Sequence, residues 1–370
     1  MGAQAAWGVS VDQPRIPIKN LYYLLCYSWD HLEQGQLVDV ASCPSTELVD
    51  LFALVLCAGV NHLARRGLEQ GYEAHSSELS SPRGRIDALG SARRFLTQHG
   101  RAACQYDELT VNTHNNQILK STLATLARSV NLHKTLHGSV TKVYRGLQGI
   151  DTPALTAQSF RTVQLHSNTR FYRFLLSVCE LIFRSVLIDS STGTVRFCDF
   201  VRDERAMARV FEQFLFNFIK REVRGVTVKR DRIGWQAEST TDPMLQMLPS
   251  MNTDISVYGP GFRLIIDAKY YSNSVTFFRE ATKYHSGNLY QLMSYLNNAR
   301  HDSADAIRGM LIYPRVDRTL RDSYVIQGSP VTIATVDLSR DWTKIHSEIL
   351  DILNTDITTG NRAIRAALAG

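Results

Sequence analysis

The sequence lacks the features of several protein classes. Its longest apolar run, Leu51 to Val60, has about ten residues, whereas a membrane-spanning helix needs roughly 20. The N-terminal residues show no charged segment followed by an apolar one, so no secretory signal is visible. No G-x-x-x-x-G-K-[ST] loop is present, so we expect no nucleotide site of the P-loop kind. These absences predict a cytoplasmic protein that does not span a membrane.

Cysteine is present but not in a metal-binding or redox pattern. The closest pair, Cys43 and Cys57, is 14 positions apart, which excludes C-x-x-C and zinc-ribbon spacings. Several of the six cysteines lie in apolar stretches. This pattern predicts reduced thiols buried in a core.

The composition is that of a packed globular protein. Of the 370 residues, 44% are hydrophobic and 21% are charged, so the chain can bury enough apolar surface to offset the entropy lost on folding. The length suits two domains, at roughly 150 residues each. The net charge of +6 is compatible with nucleic-acid binding but does not establish it.

Both halves of the chain mix helical and extended patterns, which predicts an α+β protein. A stretch rich in Gly, Pro, Ser and Thr, residues 146–159, indicates a domain boundary. We therefore expect an N-terminal mixed α/β domain at residues 1–160 and a second domain at residues 161–370. Within the first, the region from Gly71 to Arg101 reads as irregular and arginine-rich.

The second domain has a sharper order of elements. An amphipathic helix over residues 205–220 precedes two strand-like segments, Thr253–Tyr258 and Phe262–Tyr270, which are joined through Gly259-Pro260. A helix over residues 285–299 and further apolar strands follow. This order predicts a central sheet flanked by helices.

Two aspartates and a lysine interrupt these otherwise apolar strands: Asp254, Asp267 and Lys269. Residues two apart in a strand share a face, so Asp267 and Lys269 point the same way. A two-residue loop at Gly259-Pro260 places Asp254 opposite Ile265 and diagonal to Asp267, on that same face. A loop with an odd number of residues would put the two aspartates on opposite faces.

Paired carboxylates on one face are the oxygen ligands that Mg²⁺ prefers. Such a site suits phosphodiester hydrolysis, because the cation acidifies water and stabilises negative charge on the phosphate. The backbone carbonyl of Ala268 is a further candidate ligand, and Lys269 is a candidate to orient the water or stabilise charge. A solvent-facing D-x-K is the alternative, but the preceding Leu264-Ile265-Ile266 run favours a buried strand.

Three more side chains have positions that suit the same site. Glu212 lies beside the apolar stripe of the 205–220 helix, where a solvated surface glutamate is an equally good interpretation. Gln291 and Tyr295 share one face of the 285–299 helix because they are four residues apart. Their amide and phenol are candidates to contact a phosphate or to order the lysine.

The order D-x₁₂-D-x-K, then Q-x-x-x-Y, resembles the PD-(D/E)xK nuclease superfamily, particularly its RecB-like branch. More of the chain resembles the McrC family, the endonuclease subunits of McrBC modified-cytosine restriction systems. The segments that carry this resemblance are Arg15–Leu25, Arg65–Leu68, Pro82–Ile86, Tyr106–Thr110, Asn116, Leu119–Leu123, Thr253–Ile255, Asp267–Tyr271 and Asn288–Met293.

The resemblance assigns catalysis to Asp254, Asp267 and Lys269. Glu212, Gln291 and Tyr295 carry over less directly, because these positions vary more within the superfamily. One departure is visible, since no proline directly precedes Asp254.

The resemblance also implies a fold and partners. It implies a C-terminal PD-(D/E)xK, restriction-endonuclease-like domain that cleaves double-stranded DNA with Mg²⁺. The N-terminal domain is expected to bind a hexameric McrB-like AAA+ GTPase, which recognises methylated DNA and binds the GTP, and to stimulate its hydrolysis. The candidates for contact with that partner are Arg83, Arg85, Arg93 and Arg94, although a solvated basic face explains any one of them equally well.

Two alternatives stay open at this point. One is a RecB-like DNA-repair nuclease that works with a helicase. The other is a non-catalytic activator of an AAA+ motor, against which the intact set of Asp254, Asp267 and Lys269 argues.

Overall fold

The computed structural model describes residues 16–30, 40, 43–45, 47–165, 170–188, 195–197, 203–271, 276–278, 281–300, 306–316 and 318–367. The chain divides into two compact units. The discontinuous unit comprises residues 1–36 and 199–370, and the inserted unit comprises residues 37–198.

The helices within the described residues are labelled in chain order. They are α1 (Ile18–Ser28), α2 (Leu48–Arg66), α3 (Ala88–Arg93), α4 (His114–Ala127), α5 (Lys134–Gly146), α6 (Ala157–Arg161), α7 (Arg170–Ser185), α8 (Glu204–Glu222), α9 (Ser286–Ala299) and α10 (Trp342–Ala367). A short 3₁₀ helix spans Leu96–His99.

The strands of the same residues are short except in the centre of the discontinuous unit. They are β1 (Gly71–Leu79), β2 (Arg85–Ile86), β3 (Ala102–Thr110), β4 (Val186–Ile188), β5 (Val195–Phe197), β6 (Thr227–Lys229), β7 (Arg232–Ile233), β8 (Met251–Asn252), β9 (Ile255–Gly259), β10 (Phe262–Ala268), β11 (Thr276–Phe278), β12 (Ala281–Lys283), β13 (Ala306–Pro314), β14 (Arg321–Ile326) and β15 (Ser329–Val336).

The core of the inserted unit is a group of helices in which α2 packs against α4, α5 and α7. The side chains of Leu51, Phe52 and Val55 in α2 are buried at helical spacing. Gly59 allows α7 to come close, because a Cβ at that position would lie 2.3 Å from Cδ2 of Leu175. This packing places α2 in contact with the three other long helices of the unit.

The inserted unit also contains a three-stranded antiparallel sheet in the order β1-β3-β2. Strand β1 pairs with β3 from Gly71 opposite Thr110 to Leu79 opposite Ala102. The prediction of an irregular region from Gly71 to Arg101 was therefore wrong. Strand β1 has few apolar residues, and none of its residues is fully buried. Its sequence consequently lacks the period of two in hydrophobicity that identifies a strand.

The discontinuous unit is built on a six-stranded mixed sheet in the order β14-β15-β13-β10-β9-β6. Strands β10, β13 and β15 run parallel, whereas β6, β9 and β14 are antiparallel to their neighbours. Helices cover both faces of this sheet. The predicted α+β class, with a central mixed sheet flanked by helices, is confirmed.

Alternate residues of β10 face different helices, because side chains of a strand alternate between the two faces. Leu264 and Ile266 belong to an apolar cluster formed with α1, α8 and α10. Ile265 belongs to a second cluster formed with Leu292 and other residues of α9. Asp267, two residues after Ile265, therefore lies on the face that α9 covers.

The two units do not follow the single boundary expected between residues 160 and 161. Helix α1 belongs to the discontinuous unit, where the Asn217 side chain donates to the Tyr27 carbonyl (2.9 Å) and the Tyr27 hydroxyl donates to Glu222 (2.9 Å). Helix α7 instead belongs to the inserted unit, where it packs against α2 and α4. The partners of α1 are almost 200 positions away, so a local shift in composition does not reveal them.

Helix α2 is the one described helix that is long and apolar enough to cross a membrane by length and composition. Most of its apolar stretch is buried within the inserted unit, which is equally the pattern of a core helix.

Among the described cysteines, all of which are free thiols, those buried as predicted are Cys26, Cys57, Cys104 and Cys179. Cys43 is partly buried, and Cys198 lies outside the described residues.

We predict that Asn20→Ala destabilises the discontinuous unit. The Asn20 side chain is buried, and its Nδ2 donates to the carbonyl oxygens of Leu338 (2.8 Å) and Arg340 (2.6 Å). Losing the donor leaves a buried carbonyl unpaired, which lowers the free energy of unfolding by about 1–3 kcal/mol. Urea unfolding followed by tryptophan fluorescence measures the loss.

The matched control for Asn20→Ala is Lys19→Ala at the exposed neighbouring position of α1. This surface substitution should change the free energy of unfolding by less than about 0.5 kcal/mol. An equal loss of stability in the two variants would contradict the role given to Asn20.

Candidate active site

Strands β9 and β10 form the hairpin that carries the two predicted aspartates. Its loop is Pro260-Gly261 and not Gly259-Pro260 as expected, because Gly259 pairs with Phe262. Gly261 has a φ of 69°, a left-handed conformation that glycine adopts without steric cost. The loop therefore lies one residue later than predicted but still has two residues.

The corrected register brings the two aspartates opposite each other. Ser256 pairs with Ile265, and continuing the ladder by two residues places Asp254 opposite Asp267, where a diagonal relation was expected. The pairing differs from the expected one by two positions, so both side chains stay on the predicted face. Asp254 lies just before β9, and its Oδ2 accepts a hydrogen bond from the backbone N–H of Ala268 at 3.0 Å.

The Asp267 carboxylate is the most buried charged group of the site. Asp267 is 0% exposed, and neither of its oxygens has a hydrogen-bond partner. Lys269 Nζ lies 3.0 Å from Oδ1, so the two groups form an ion pair whose orientation falls short of a hydrogen bond. Burial raises the pKa of Asp267 to about 7, with the Lys269 ammonium opposing this shift and Asp254 adding to it. A buried carboxylate without donors is unfavourable unless a cation compensates it.

Lys269 follows directly after β10 and lies between the aspartates and α9. Its Nζ contacts Asp267 and donates to Oε1 of Gln291 at 3.1 Å. Burial acts to lower the pKa of Lys269, but Asp267 and Asp254 act in the opposite direction and raise it above its ordinary value. The lysine is therefore a charged ammonium held inside the site.

Gln291 and Tyr295 share one face of α9, as the sequence predicts. Gln291 accepts from Lys269 through Oε1 and donates through Nε2 to the Tyr295 hydroxyl at 2.7 Å. Tyr295 is buried, and burial raises the pKa of its phenol, with Asp267 and Asp254 adding to the increase. The structure thus joins Asp267, Lys269, Gln291 and Tyr295 in one chain of contacts.

Glu212 lies on α8 at the edge of this site. Burial raises the pKa of Glu212, and the charge of Asp254 raises it further, while Arg230 opposes both. Arg230 donates to Oε1 of Glu212 (2.8 Å) and to Oε1 of Gln213 (2.9 Å). The Glu212 side chain is 29% exposed. Glu212 is therefore beside the aspartates, with its carboxylate held by an arginine that sequence reasoning did not single out.

Asn288 is a second residue that sequence reasoning did not assign to the site. Its side chain is buried, accepts from the Tyr271 hydroxyl (3.1 Å) and donates to the Tyr313 hydroxyl (3.1 Å). Tyr271 is two residues beyond Lys269, so its hydrogen bond with Asn288 connects the segment that follows β10 with α9. The available signal was the spacing, because Asn288 is three residues before Gln291 and shares its helix face.

The donor set fits a magnesium ion. Among the described residues, no group of three or more His, Cys, Asp or Glu side chains is arranged to hold a metal. Mg²⁺ commonly binds through one or two carboxylates and keeps several waters, so it needs no larger group. The two buried oxygens of Asp267, which have no hydrogen-bond partner and lie opposite Asp254, are the observation that favours a cation at this position.

The four arginines predicted to contact a partner lie on β2, α3 and the loops beside them in the inserted unit, and all are exposed. Arg83 packs over the ring of Tyr106, with its Cζ 3.8 Å from the ring centroid, and lies 3.4 Å from Glu108. Arg94 pairs with Glu78 at 2.9 Å. The structure therefore ties Arg83 and Arg94 to acidic residues of the neighbouring strands, while Arg85 and Arg93 are on the surface.

Comparison with known proteins places the chain in a family. Residues 12–314 match the family described as McrBC 5-methylcytosine restriction system component. The Escherichia coli K12 protein named Type IV methyl-directed restriction enzyme EcoKMcrBC is 37% identical over 344 residues, which cover 93% of this chain and 99% of that protein.

A solved structure is similar in fold. It is the refined half-complex from a tetradecameric assembly of Thermococcus gammatolerans McrB AAA+ hexamers with bound McrC. The alignment has a TM-score of 0.59 at 16% identity and covers 92% of this chain and 76% of that one. The family match covers residues 12–314, and the alignment with the E. coli protein covers nearly all of both chains. This chain belongs to the McrBC 5-methylcytosine restriction system component family.

Proposed function

We propose that the chain is the DNA endonuclease subunit of a GTP-dependent, methylcytosine-specific restriction complex. In this proposal it cleaves phosphodiester bonds of double-stranded DNA with Mg²⁺ in the cytoplasm. It also binds an McrB-like AAA+ GTPase hexamer and stimulates its GTP hydrolysis. The GTP belongs to the partner, since this sequence has no P-loop motif.

The observation that carries the proposal is the buried Asp267 carboxylate. Both of its oxygens are without a hydrogen-bond partner, Asp254 lies opposite, and Lys269 is 3.0 Å away. Asp267 is fully buried and Asp254 is partly buried, and one lysine only partly offsets the repulsion between these two neighbouring carboxylates. A divalent cation supplies the missing charge and therefore explains why the group is buried.

Each residue has a distinct part in the proposed reaction. Asp254 and Asp267 would hold the Mg²⁺, with the Ala268 carbonyl as a further ligand. When bound, the ion would act as a Lewis acid that makes the scissile phosphate more electrophilic and a nearby water more acidic. Lys269 is fully charged at neutral pH and stabilises negative charge on the phosphate or orients the attacking water.

Gln291 and Tyr295 have a supporting part. Their two hydrogen bonds fix the Lys269 ammonium, which otherwise has four flexible side-chain torsions. Glu212 would neutralise part of the local positive charge or assist at the metal once it is released from Arg230. The family match favours this restriction function over the RecB-like repair nuclease, and the intact carboxylate pair favours it over the non-catalytic activator.

We predict that Asp267→Asn separates the two activities. The substitution keeps the side-chain shape but removes the charge that attracts the cation. DNA cleavage by the complex with the AAA+ partner should fall at least about 10³-fold, because metal catalysis contributes several kcal/mol to the rate. GTP hydrolysis by the partner should remain stimulated in the same reaction.

The control for Asp267→Asn is Asp341→Asn, an exposed aspartate just before α10, which should cleave at the wild-type rate. Persistent cleavage by Asp267→Asn would show that the site is wrongly assigned. Loss of GTPase stimulation together with cleavage would contradict the proposed separation of the two activities.

We predict that Lys269→Met lowers the single-turnover cleavage rate about 10²–10³-fold, the usual effect of removing one electrostatic stabiliser of a transition state. Methionine retains an unbranched side chain of similar length, so the packing near Gln291 is largely kept. The exposed Lys344→Met on α10 is the matched control. A rate within about threefold of wild type would exclude a catalytic role for Lys269.

We predict that the double variant Arg85→Glu with Arg93→Glu weakens stimulation of the partner GTPase at least about tenfold. Charge reversal at a complementary surface costs several kcal/mol of binding. GTP hydrolysis titrated with increasing amounts of the chain measures the effect. The control reverses two exposed charges of α5 in the same unit, Lys142→Glu with Arg145→Glu. Equal effects of the two pairs would exclude a specific contact at β2 and α3.

A further inference from the structure

The backbone just before Asp254 is held by a pair of reciprocal hydrogen bonds. The N–H of Thr253 donates to the carbonyl of Asp231 at 2.9 Å, and the N–H of Asp231 donates to Oγ1 of Thr253 at 2.9 Å. Thr253 is 2% exposed, so water does not replace these bonds easily. The Thr253 hydroxyl also lies 3.0 Å from the hydroxyl of the fully buried Ser256.

Asp231 is itself fixed by its side chain. Oδ2 accepts hydrogen bonds from the Tyr258 hydroxyl (2.7 Å) and from the Arg263 guanidinium (2.8 Å). The Arg263 side chain is 6% exposed, so this ion pair is largely out of water. The contacts with Ser256, Tyr258 and Arg263 outweigh burial and hold the pKa of Asp231 below its ordinary value. Asp231 is therefore a charged anchor whose carboxylate is held by several hydrogen bonds.

The anchor and the two catalytic aspartates share one face of the hairpin. Tyr258 pairs with Arg263 near the loop, and the same register puts Asp254 opposite Asp267 at the other end. Side chains two residues apart lie on one face, so the residues that bind Asp231 share a face of the hairpin with the two aspartates. Thr253 connects Asp231 to Asp254, which follows Thr253 directly and precedes β9.

We propose that Thr253, held by Asp231, is a positioning residue that sets the orientation of Asp254 and thereby the affinity of the site for a divalent cation. A proline at this position would restrict the backbone through its ring. Thr253 restricts it through two hydrogen bonds instead. The inference rests on the proposed function, because it concerns the metal held by Asp254 and Asp267.

The physical basis is the same as for residues that hydrogen-bond metal ligands directly. A carboxylate binds a small cation well only when its oxygens are placed within a few tenths of an ångström. Loss of such supporting contacts typically weakens metal affinity about 10–100-fold. Thr253 acts one bond away from the ligand residue, so its loss should fall toward the lower end of that range.

The test measures binding of Mn²⁺, as a spectroscopic substitute for Mg²⁺, to the full chain by electron paramagnetic resonance. Thr253→Val keeps the side-chain shape and removes the hydroxyl, and we expect it to weaken Mn²⁺ binding about tenfold or more. Thr253→Ser restores the hydroxyl and should bind within about threefold of wild type. Asp231→Asn keeps the anchor's size without its charge and should also weaken binding.

The matched control is Thr335→Val on β15, which is separated from β10 by β13. Thr335 is likewise buried, and its Oγ1 accepts the backbone N–H of Leu320 at 2.9 Å. This variant should lose similar thermal stability but bind Mn²⁺ as wild type does. Thermal melting of all variants by circular dichroism separates unfolding from a local effect at the site.

The outcomes distinguish the two proposals. Wild-type binding by Thr253→Val, with Asp267→Asn unable to bind Mn²⁺, would overturn the positioning role and leave the metal site intact. Equal weakening in Thr253→Val and Thr335→Val would likewise overturn it, since the effect would follow general stability. If wild type binds no more Mn²⁺ than Asp267→Asn does, the proposed metal site itself is wrong. If Thr253→Val does not fold, Asp231→Asn and Thr253→Ser decide the question by the same measurement.

Discussion

Burial of the Asp267 carboxylate is the constraint on which the arrangement of the discontinuous unit depends. Removing an ionised carboxylate from water costs several kcal/mol even after the protein relaxes, and a second carboxylate opposite adds repulsion. The surrounding elements offset this cost in different ways. Lys269 lies 3.0 Å away as a counter-charge, and Gln291 of α9 holds that lysine in place. The strand order places β10 between β9 and β13, so no edge of the sheet exposes the group.

The proximity of the candidate site residues was more predictable than the pairing and division of the fold, and the reason lies in the periodicity of strands. Asp254, Asp267 and Lys269 could be brought together from the sequence because a two-residue loop keeps the parity of a hairpin. The register itself could not be derived, since it depended on Gly261 adopting a positive φ within a loop that also contains Pro260. An error of this kind moves a pairing by two positions and leaves the face unchanged. The prediction of a shared face therefore survived the wrong register.

Long-range contacts and polar strands were beyond sequence reasoning. Asn20 donates to carbonyls more than 300 positions away, and nothing in its local sequence indicates that partner. Strand β1 could not be recognised because its pairing with β3 rests on backbone hydrogen bonds and not on an apolar face. The boundary near residue 160 rested on composition, whereas the division observed follows packing of α1 with α8 and of α7 with α2. A stretch rich in Gly, Pro, Ser and Thr indicates a flexible segment, whereas the units are defined by contacts between distant helices.

The net charge of +6 does not describe the basic surface, because some of the basic side chains are paired with acidic ones. Arg83 and Arg94 are paired with glutamates of neighbouring strands, which reduces the basic surface that the sequence suggested. Affinity for duplex DNA comes mainly from phosphate contacts by many cations, and a net charge of +6 over 370 residues is mild for a chain that would hold DNA alone. Under the proposed function the partner holds the DNA, and this chain supplies the hydrolytic site. Its important charges are then the few buried ones around Asp267, where low exposure makes each of them effective.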